Sequence, residues 1–253
     1  MTRLLLPACL LLLTAPATAA PADSEFLMGS VVKSDKWKMN RVNETEVFTG
    51  NVSFRNPHYL LKADHAVYNR ARSAWDLDGS VYVLRTFDDS SQVEMTCAKG
   101  RYLETAEEAH LVRGGEQVKM TYRGHDGKIL KGRSDRALAE NKKRLMHFEG
   151  AFSVSTENLD MYSIRGLYDD ALKTFLFYDS TGVPSGAILS PPAPRAPGAS
   201  LPAAIGRRDP YNFAITAESM KFFRDSRDIK FYNRVYGWVK DLPPGTAAPV
   251  KTR

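Results

Sequence analysis

A ten-residue pattern that recurs along the chain constrains the fold more than any other feature of the sequence. Its clearest copy runs from Leu60 to Asn69, with an apolar residue two positions before a small one and an aromatic residue five positions after it. Repeats at roughly 20 to 50 residues are typical of folds built from one repeated supersecondary unit. Six copies can be aligned on their small residue, and these small residues are Ser34, Ala63, Cys97, Gly132, Ser163 and Ala217.

A second element lies between the copies. Residues 48–54, 77–83, 148–154 and 231–235 alternate apolar or small residues with more polar ones. Such alternation is typical of a β-strand with one buried and one hydrated face. Gly, Asn and Asp separate the stretches, as they do in tight turns. The sequence therefore predicts an all-β chain of tandem antiparallel strand pairs, and these observations leave a sandwich, a barrel and a β-solenoid open.

The first nineteen residues have the features of an export signal. Arg3 precedes an apolar run from Leu4 to Leu13, and Ala17-Thr18-Ala19 matches a signal-peptidase site. The run is short for a membrane span and contains Pro7, so a retained anchor is the less favoured alternative. We therefore predict a signal peptide at 1–19, cleaved on export to the periplasm.

The remaining chain is predicted to form one domain, residues 26–242. Residues 184–210 hold seven of the fourteen prolines, which predicts a surface loop inserted in the last repeat. The final residues, 243–253, are again rich in proline and are predicted to be a disordered tail.

Residue types that carry catalysis or bind metals form no known motif in this sequence. The five histidines are scattered, and neither a nucleophile elbow nor a phosphate-binding loop is present. Removal of the signal would take away Cys9 and leave Cys97 alone, which predicts no internal disulfide and a packed, unreactive thiol. We predict no enzymatic activity, no metal and no cofactor.

Basic residues are concentrated between Lys128 and Arg144, in a chain whose formal net charge is +6. A solvated face is the simpler interpretation of such a cluster. An anion-attracting rim for phosphate groups is the alternative. No aromatic and basic groove motif accompanies the cluster, so nucleic acid is not a predicted partner.

Residues 47–54 followed by 61–68 carry a resemblance to a known family, and the pattern returns in 75–83 with 95–102 and in 148–154 with 161–168. Together with the export signal, these repeats resemble the OstA/LptA-like family of periplasmic lipopolysaccharide-transport proteins, which also includes LptC and the N-terminal part of LptD. The resemblance covers roughly residues 31–239. It does not indicate whether the chain is LptA-like or LptC-like.

The resemblance implies an incomplete, V-shaped β-jellyroll whose sheets enclose an apolar groove. Lipid A acyl chains of lipopolysaccharide would lie in the groove and be passed toward the outer membrane. Other jellyroll transport proteins would join by edge-strand pairing, and a homo-oligomer is one such assembly. The alternatives that we weigh are a structural or adhesin-like β-solenoid and a periplasmic hydrolase on a β scaffold.

The inward positions of the predicted strands are the candidate groove residues. For any one of them, a place in a closed core is the competing interpretation. They are Val52, Phe54, Leu61, Ala63, Tyr68, Val81, Val83, Met95, Tyr102, Val118, Met120, Leu130, Phe152, Val154, Met161, Tyr168, Ile215 and Phe222.

Overall fold

The computed structural model describes residues 31–55, 59–179, 201–208 and 211–239, and these form eighteen β-strands and two short 3-10 helices. The prediction of an all-β chain is confirmed. The strands are β1 (Val31–Lys33), β2 (Lys36–Asn40), β3 (Thr45–Arg55), β4 (Tyr59–Asn69), β5 (Ala74–Thr86), β6 (Gln92–Leu103), β7 (Glu108–Val112), β8 (Val118–Arg123), β9 (Ile129–Ser134), β10 (Arg136–Glu140), β11 (Leu145–Ser155), β12 (Leu159–Asp169), β13 (Thr174–Tyr178), β14 (Ala203–Arg208), β15 (Tyr211–Thr216), β16 (Ser219–Phe223), β17 (Ile229–Tyr232) and β18 (Tyr236–Val239), and the 3-10 helices are Arg70–Arg72 and Asn141–Lys143.

The strand ladders form two rows that share six long strands, β3, β4, β5, β6, β11 and β12. The first sheet runs in the order β2-β3-β4-β5-β6-β7-β10-β11-β12-β13-β16-β17. The second sheet runs in the order β1-β3-β4-β5-β6-β8-β9-β11-β12-β14-β15-β18. Every pairing between the described strands is antiparallel, as the tandem strand pairs predict. A β-solenoid of stacked parallel strands is therefore not the fold.

Three of the six long strands, β3, β5 and β11, cross between the sheets at bends made by glycine. Gly50, Gly79 and Gly150 have φ values of +77°, +75° and +74°, and the residue after each is also left-handed. The strand register shifts at each of these points, which marks a β-bulge. Each bend turns the strand while keeping its apolar residues inside. In β3, for example, the rings of Phe48 and Phe54 lie on opposite sides of the bend, 6.1 Å apart.

An acidic residue packs against each of these three glycines, from within β4 for Asp64 and from the bends between β1 and β2 and between β9 and β10 for Asp35 and Asp135. The carboxylates of Asp35, Asp64 and Asp135 fill the space where a side chain on Gly50, Gly79 or Gly150 would lie. In β4 the residues Ala63 and Ala66 are both buried, so the inward face shifts by one residue around Asp64. This shift explains why the aromatic residue of the repeated pattern follows the small residue by five positions, an odd number, although both face inward.

The alignment of the fourth repeat was wrong by two residues. Ser134 directly precedes Asp135, as Ala63 precedes Asp64, and it is 1% exposed. Ser134, rather than Gly132, is therefore the small residue at this bend. Both residues are small and share one face of β9, which is why composition did not separate them. The predicted strand at 231–235 was also wrong in part, because Asn233 and Arg234 are left-handed and form a bend after β17.

The hairpin turns lie at the strand ends away from these bends. Residues 70–73, 104–107, 141–144 and 170–173 connect strands of the first sheet, and residues 87–91 connect strands of the second. The two sheets are thus joined along one side by bent strands and end in turns along the other. This is the incomplete jellyroll that the family resemblance implies, with its apolar core between the sheets.

The predicted loop at 184–210 needs a correction. Its residues Ala203–Arg208 form β14, which pairs with β12 and β15 and buries Ala204 completely. Long-range strand pairing overrides the local composition here. Residues 184–200 and 209–210 lie outside the described residues, as do the predicted signal peptide at 1–19 and the tail at 243–253. Within the described part of the chain, no helix has the length and apolarity needed to cross a membrane.

Candidate ligand-binding cavity

A cavity of about 550 Å³ lies between the two sheets in the middle of the molecule. A volume of this size falls within the range of roughly 300 to 1,000 Å³ that is usual for small-molecule sites. Both sheets contribute its apolar lining. These residues are Tyr59, Leu61, Leu77, Val83, Phe87, Val93, Met95, Tyr102, Ala109, Leu111, Met120, Tyr122, Ala139, Leu145, Met146, Tyr168 and Phe175.

Strand alternation places these side chains. In β8 the residues Met120 and Tyr122 are buried, whereas the Lys119 between Val118 and Met120 is exposed. Met95 of β6 lies opposite Met120 in the strand register. Methionine side chains are flexible and polarisable, so they can adapt to ligands of varied shape. The cavity floor is therefore both apolar and adaptable.

Charged residues surround the mouth of the cavity. Asp170 accepts hydrogen bonds from Arg144 Nη2 at 2.8 Å and from Lys173 Nζ at 2.6 Å. The Tyr168 hydroxyl also donates to Asp170, at 3.3 Å. Burial tends to raise the pKa of Asp170, but the Lys173 and Arg144 cations outweigh it and hold that pKa below its ordinary value. Asp170 is therefore an ionised centre shared by two cations.

Arg224 connects the two sheets at this mouth. Its Nε donates to Asp225 at 2.8 Å and its Nη1 donates to the Tyr168 hydroxyl at 2.9 Å. Asp225 lies in the turn after β16, and Tyr168 lies where β12 pairs with β13 in the first sheet. The guanidinium carbon of Arg224 lies 4.5 Å from the ring centre of Tyr122, which belongs to the second sheet. Only 10% of the Arg224 side chain is exposed. The guanidinium thus forms a charged boundary directly above the apolar cavity.

The interior next to the first strands is filled rather than hollow. The Phe54 ring lies 4.4 Å from Trp75, and the Tyr68 ring stacks on Trp75 at 4.5 Å. Glu104 accepts hydrogen bonds from the Trp75 indole at 2.8 Å and from the Tyr68 hydroxyl at 3.1 Å. These contacts satisfy the polar atoms of both rings, so this part of the interior is a closed aromatic core.

A second, larger depression of about 1020 Å³ lies toward the last strands. Phe213, Ile215, Phe222, Ile229 and Phe231 form its apolar part. Ile129 and Leu159 are also apolar, and the wall further includes polar residues and the charged residues Asp126, Lys128, Lys131, Glu157, Arg227 and Asp228. Because its lining is more mixed than that of the central cavity, we take the central cavity as the candidate site.

The structure divides the predicted groove residues into three groups, all facing the interior. The central cavity is lined by Leu61, Val83, Met95, Tyr102, Met120 and Tyr168. The second depression is lined by Ile215 and Phe222. The others pack in or against the closed core and line neither space, and they are Val52, Phe54, Ala63, Tyr68, Val81, Val118, Leu130, Phe152, Val154 and Met161.

Several lining residues were absent from the sequence prediction. Tyr122 follows the alternation of β8, so the pattern could have identified it. All five residues of β13 are buried, so alternation gives no signal for Phe175. Arg224 and Asp170 lie in turns and carry no periodic signal. Their place at the mouth depends on how the turns of the two sheets approach each other.

Other reactive groups do not extend the site. Burial raises the pKa of the Cys97 thiol to about 11, and its Sγ donates to the Lys99 carbonyl at 3.2 Å. The thiol is therefore protonated near neutral pH. Among the described residues, no group of His, Cys, Asp and Glu side chains could hold a metal ion.

Comparisons with known proteins identify one family. A family model described as LptA/(LptD N-terminal domain) LPS transport protein matches residues 31–164. No curated protein matches the chain. Among solved structures, the chain is similar to LptH of Pseudomonas aeruginosa, the LptA homologous periplasmic component of its lipopolysaccharide transport device. That match has 13% identity and a TM-score of 0.29, and it covers 68% of this chain and 95% of LptH.

Proposed function

Because the chain belongs to the LptA/LptD N-terminal family of lipopolysaccharide transport proteins, we propose that it binds lipopolysaccharide in the periplasm and shields the lipid A acyl chains in the central cavity. The shielded lipid is passed on toward the outer membrane. No covalent chemistry is needed for this role.

The observation that carries this proposal is the apolar central cavity with charged turns at its mouth. Burial of apolar surface contributes about 25 cal/mol per Å², so an acyl chain gains free energy by leaving water for the space beside Met95, Met120 and Phe175. The charged mouth suits a ligand whose other end stays hydrated. This arrangement matches an amphiphile better than a wholly polar or wholly apolar molecule.

Edge strands supply the means of assembly in this proposal. Within the described ranges, β1 and β2 pair only with β3, β17 only with β16 and β18 only with β15. Apolar residues are exposed at these edges, with Trp37 at 60%, Val31 at 57% and Tyr236 at 58%. Open edges favour pairing with another strand. Other jellyroll transport proteins, or a second copy of this chain, would extend the sheets here.

Photocrosslinking tests the lipid site. A diazirine-bearing aliphatic residue replaces Met120, which lines the cavity, or Lys119, which points outward from the same strand. Purified lipopolysaccharide is added to the folded protein and the sample is irradiated. We expect lipid adducts from position 120 and none from position 119.

The two positions control for each other because they share a strand and differ only in direction. Folding of each variant is checked by circular dichroism. Equal labelling from both positions would indicate binding to the outer surface. No labelling from position 120 in a folded sample would refute the cavity as the acyl site.

A second crosslinking experiment tests assembly. A photoreactive residue at Lys38, in the exposed edge strand β2, is compared with the same residue at Lys119, in the middle of the second sheet. If edges pair, Lys38 yields covalent dimers of this chain or adducts with another jellyroll protein. Labelling of partners from Lys119 alone would contradict edge pairing.

A further inference from the structure

Three cations converge at the mouth of the central cavity. Arg144, Lys173 and Arg224 all line it, from three different turns of the first sheet. Asp170 pairs with two of them, and Asp225, which is 67% exposed, pairs with the third. Three positive charges therefore pair with two carboxylates, one of which is largely in water. Counted over all the charged residues that line the cavity, five cations stand against four carboxylates, Asp88 and Asp89 among them, so the excess is one positive charge.

Arg224 is the member of this cluster with the most unusual surroundings. A guanidinium has five N–H donors, and two hydrogen bonds from Arg224 are formed to Asp225 and the Tyr168 hydroxyl. Its plane lies over Tyr122, which fixes its orientation. A side chain that is only 10% exposed pays a large desolvation cost unless a partner compensates it. Among the described residues, the Nη2 group of Arg224 donates to no protein acceptor, so it is available to a ligand at the cavity mouth.

A fork of guanidinium donors matches the oxygens of a phosphate group. Lys173 and Arg144 add two further cations that can approach the same anion. We propose that Arg224, Lys173 and Arg144 bind a phosphate group on the head of an amphiphile whose apolar chains occupy the central cavity. This inference rests on the proposed function and names the chemical group that orients the bound lipid.

Two carboxylates on the opposite lip limit the affinity of this site. Asp88 and Asp89, in the turn after β5, also line the cavity. Asp89 accepts hydrogen bonds from the Ser91 backbone at 2.9 Å and from its hydroxyl at 2.5 Å. A phosphate near Arg224 would be repelled by Asp89. Asp89→Asn keeps an oxygen acceptor for Ser91 and should therefore tighten phosphate binding.

The test compares two lipids that differ only in phosphate. Binding of the exported chain to lipid A with both phosphates, and to the same lipid after dephosphorylation, is measured by fluorescence titration below the critical micelle concentration. Loss of a charge-assisted hydrogen bond corresponds to a roughly tenfold or greater loss of affinity. We expect Arg224→Gln to weaken binding of the phosphorylated lipid by about that factor and to leave the dephosphorylated lipid unaffected.

Matched variants keep the test valid if Arg224→Gln fails to fold. Lys173→Gln removes a partly exposed cation of the same cluster and should give a smaller loss, again only for the phosphorylated lipid. Arg136→Gln removes an exposed cation on the outer face and should change neither affinity. Asp89→Asn should strengthen binding of the phosphorylated lipid alone.

The outcomes separate the two proposals. Equal losses for both lipids in Arg224→Gln and Lys173→Gln would overturn the phosphate site while leaving acyl shielding intact. Failure of the unmodified protein to bind either lipid would refute the proposed function itself. Inorganic phosphate that binds as tightly as the lipid, with the same dependence on Arg224, would identify a site for free phosphate and overturn the lipid assignment.

Discussion

Replacement of a bend glycine by alanine gives the sharpest test of the architecture. Gly79 lies at the bend of β5 with φ +75°, and a Cβ atom there would overlap the side chain of Asp64. Gly127 lies in the β8–β9 turn with φ +77° and has no atom within 4 Å of the corresponding position. The two glycines therefore share a backbone conformation and differ in their surroundings.

The expected costs follow from that difference. A left-handed alanine costs about 1–2 kcal/mol relative to its ordinary conformations, and the effect on the unfolded chain is the same at both positions. The overlap with Asp64 adds about 1–3 kcal/mol, as overpacking does in well-packed interiors. We expect Gly127→Ala to lower the free energy of unfolding by about 1–2 kcal/mol. For Gly79→Ala the expected loss is about 2–5 kcal/mol.

Urea denaturation of the two variants, followed by intrinsic tryptophan fluorescence, measures both losses. The double variant Asp64→Gly with Gly79→Ala removes the overlap and should recover part of the loss beyond the effect of Asp64→Gly alone. Equal costs at Gly79 and Gly127, with no recovery in the double variant, would refute the packing of Asp64 against the bend.

Three further predictions concern other parts of the molecule. Because burial raises the pKa of Cys97 to about 11, thiol labelling at pH 8 of a chain without residues 1–19 should be about 100-fold slower in the folded than in the urea-unfolded state; comparable rates would contradict the burial of Cys97. The pKa of Asp170 is lowered in the folded state, so its contribution to stability is present above the ordinary carboxyl pKa of about 3.9 and is lost as pH falls. Asp170→Asn should therefore destabilise the protein by about 1–2 kcal/mol at pH 7 and by less at pH 3, with Asp76→Asn at an exposed position as the control. A loss of stability that does not depend on pH would argue against the ion pairs of Asp170. Phe152 is 1% exposed and stacks on Phe148 at 4.5 Å, so Phe152→Ala should lower the free energy of unfolding by about 3–5 kcal/mol in urea denaturation. Tyr162, which is 42% exposed, is the control. A loss no larger than that of Tyr162→Ala would show that the core is looser than described.

Much of the fold could be read from local periodicity. Alternation in 48–54, 77–83 and 148–154 identified strands that the structure contains. One face of each strand is buried whichever element of the opposite sheet packs on it, so the alternation is visible in the local sequence. The bends also carry a local signal, since Asp35, Asp64 and Asp135 each precede a left-handed glycine by fifteen residues. A separation of fifteen residues brings the aspartate and the glycine side by side on two neighbouring antiparallel segments. The aspartate–glycine pairs therefore mark the line along which the two sheets join.

Composition was a weaker guide where distant strands decide the structure. Residues 203–208 follow a proline-rich stretch, yet they form β14 because β12 and β15 offer free backbone partners on both sides. Gly132 and Ser134 are equally small, so only the packing of Asp135 against Gly150 shows which of them lies at the bend.

Local sequence patterns were enough for the strand period, for the inward face of the strands that alternate and for the family resemblance. Which inward residues close into a core and which line a cavity depends on the packing of the two sheets. Met120 and Val118 are two residues apart on one face of β8, yet Met120 borders the cavity and Val118 does not. Arg224 likewise meets Tyr122 across 102 residues of chain, at 4.5 Å. Alternation is a property of neighbouring residues, whereas the distance between the sheets is set by side chains from strands far apart in the sequence.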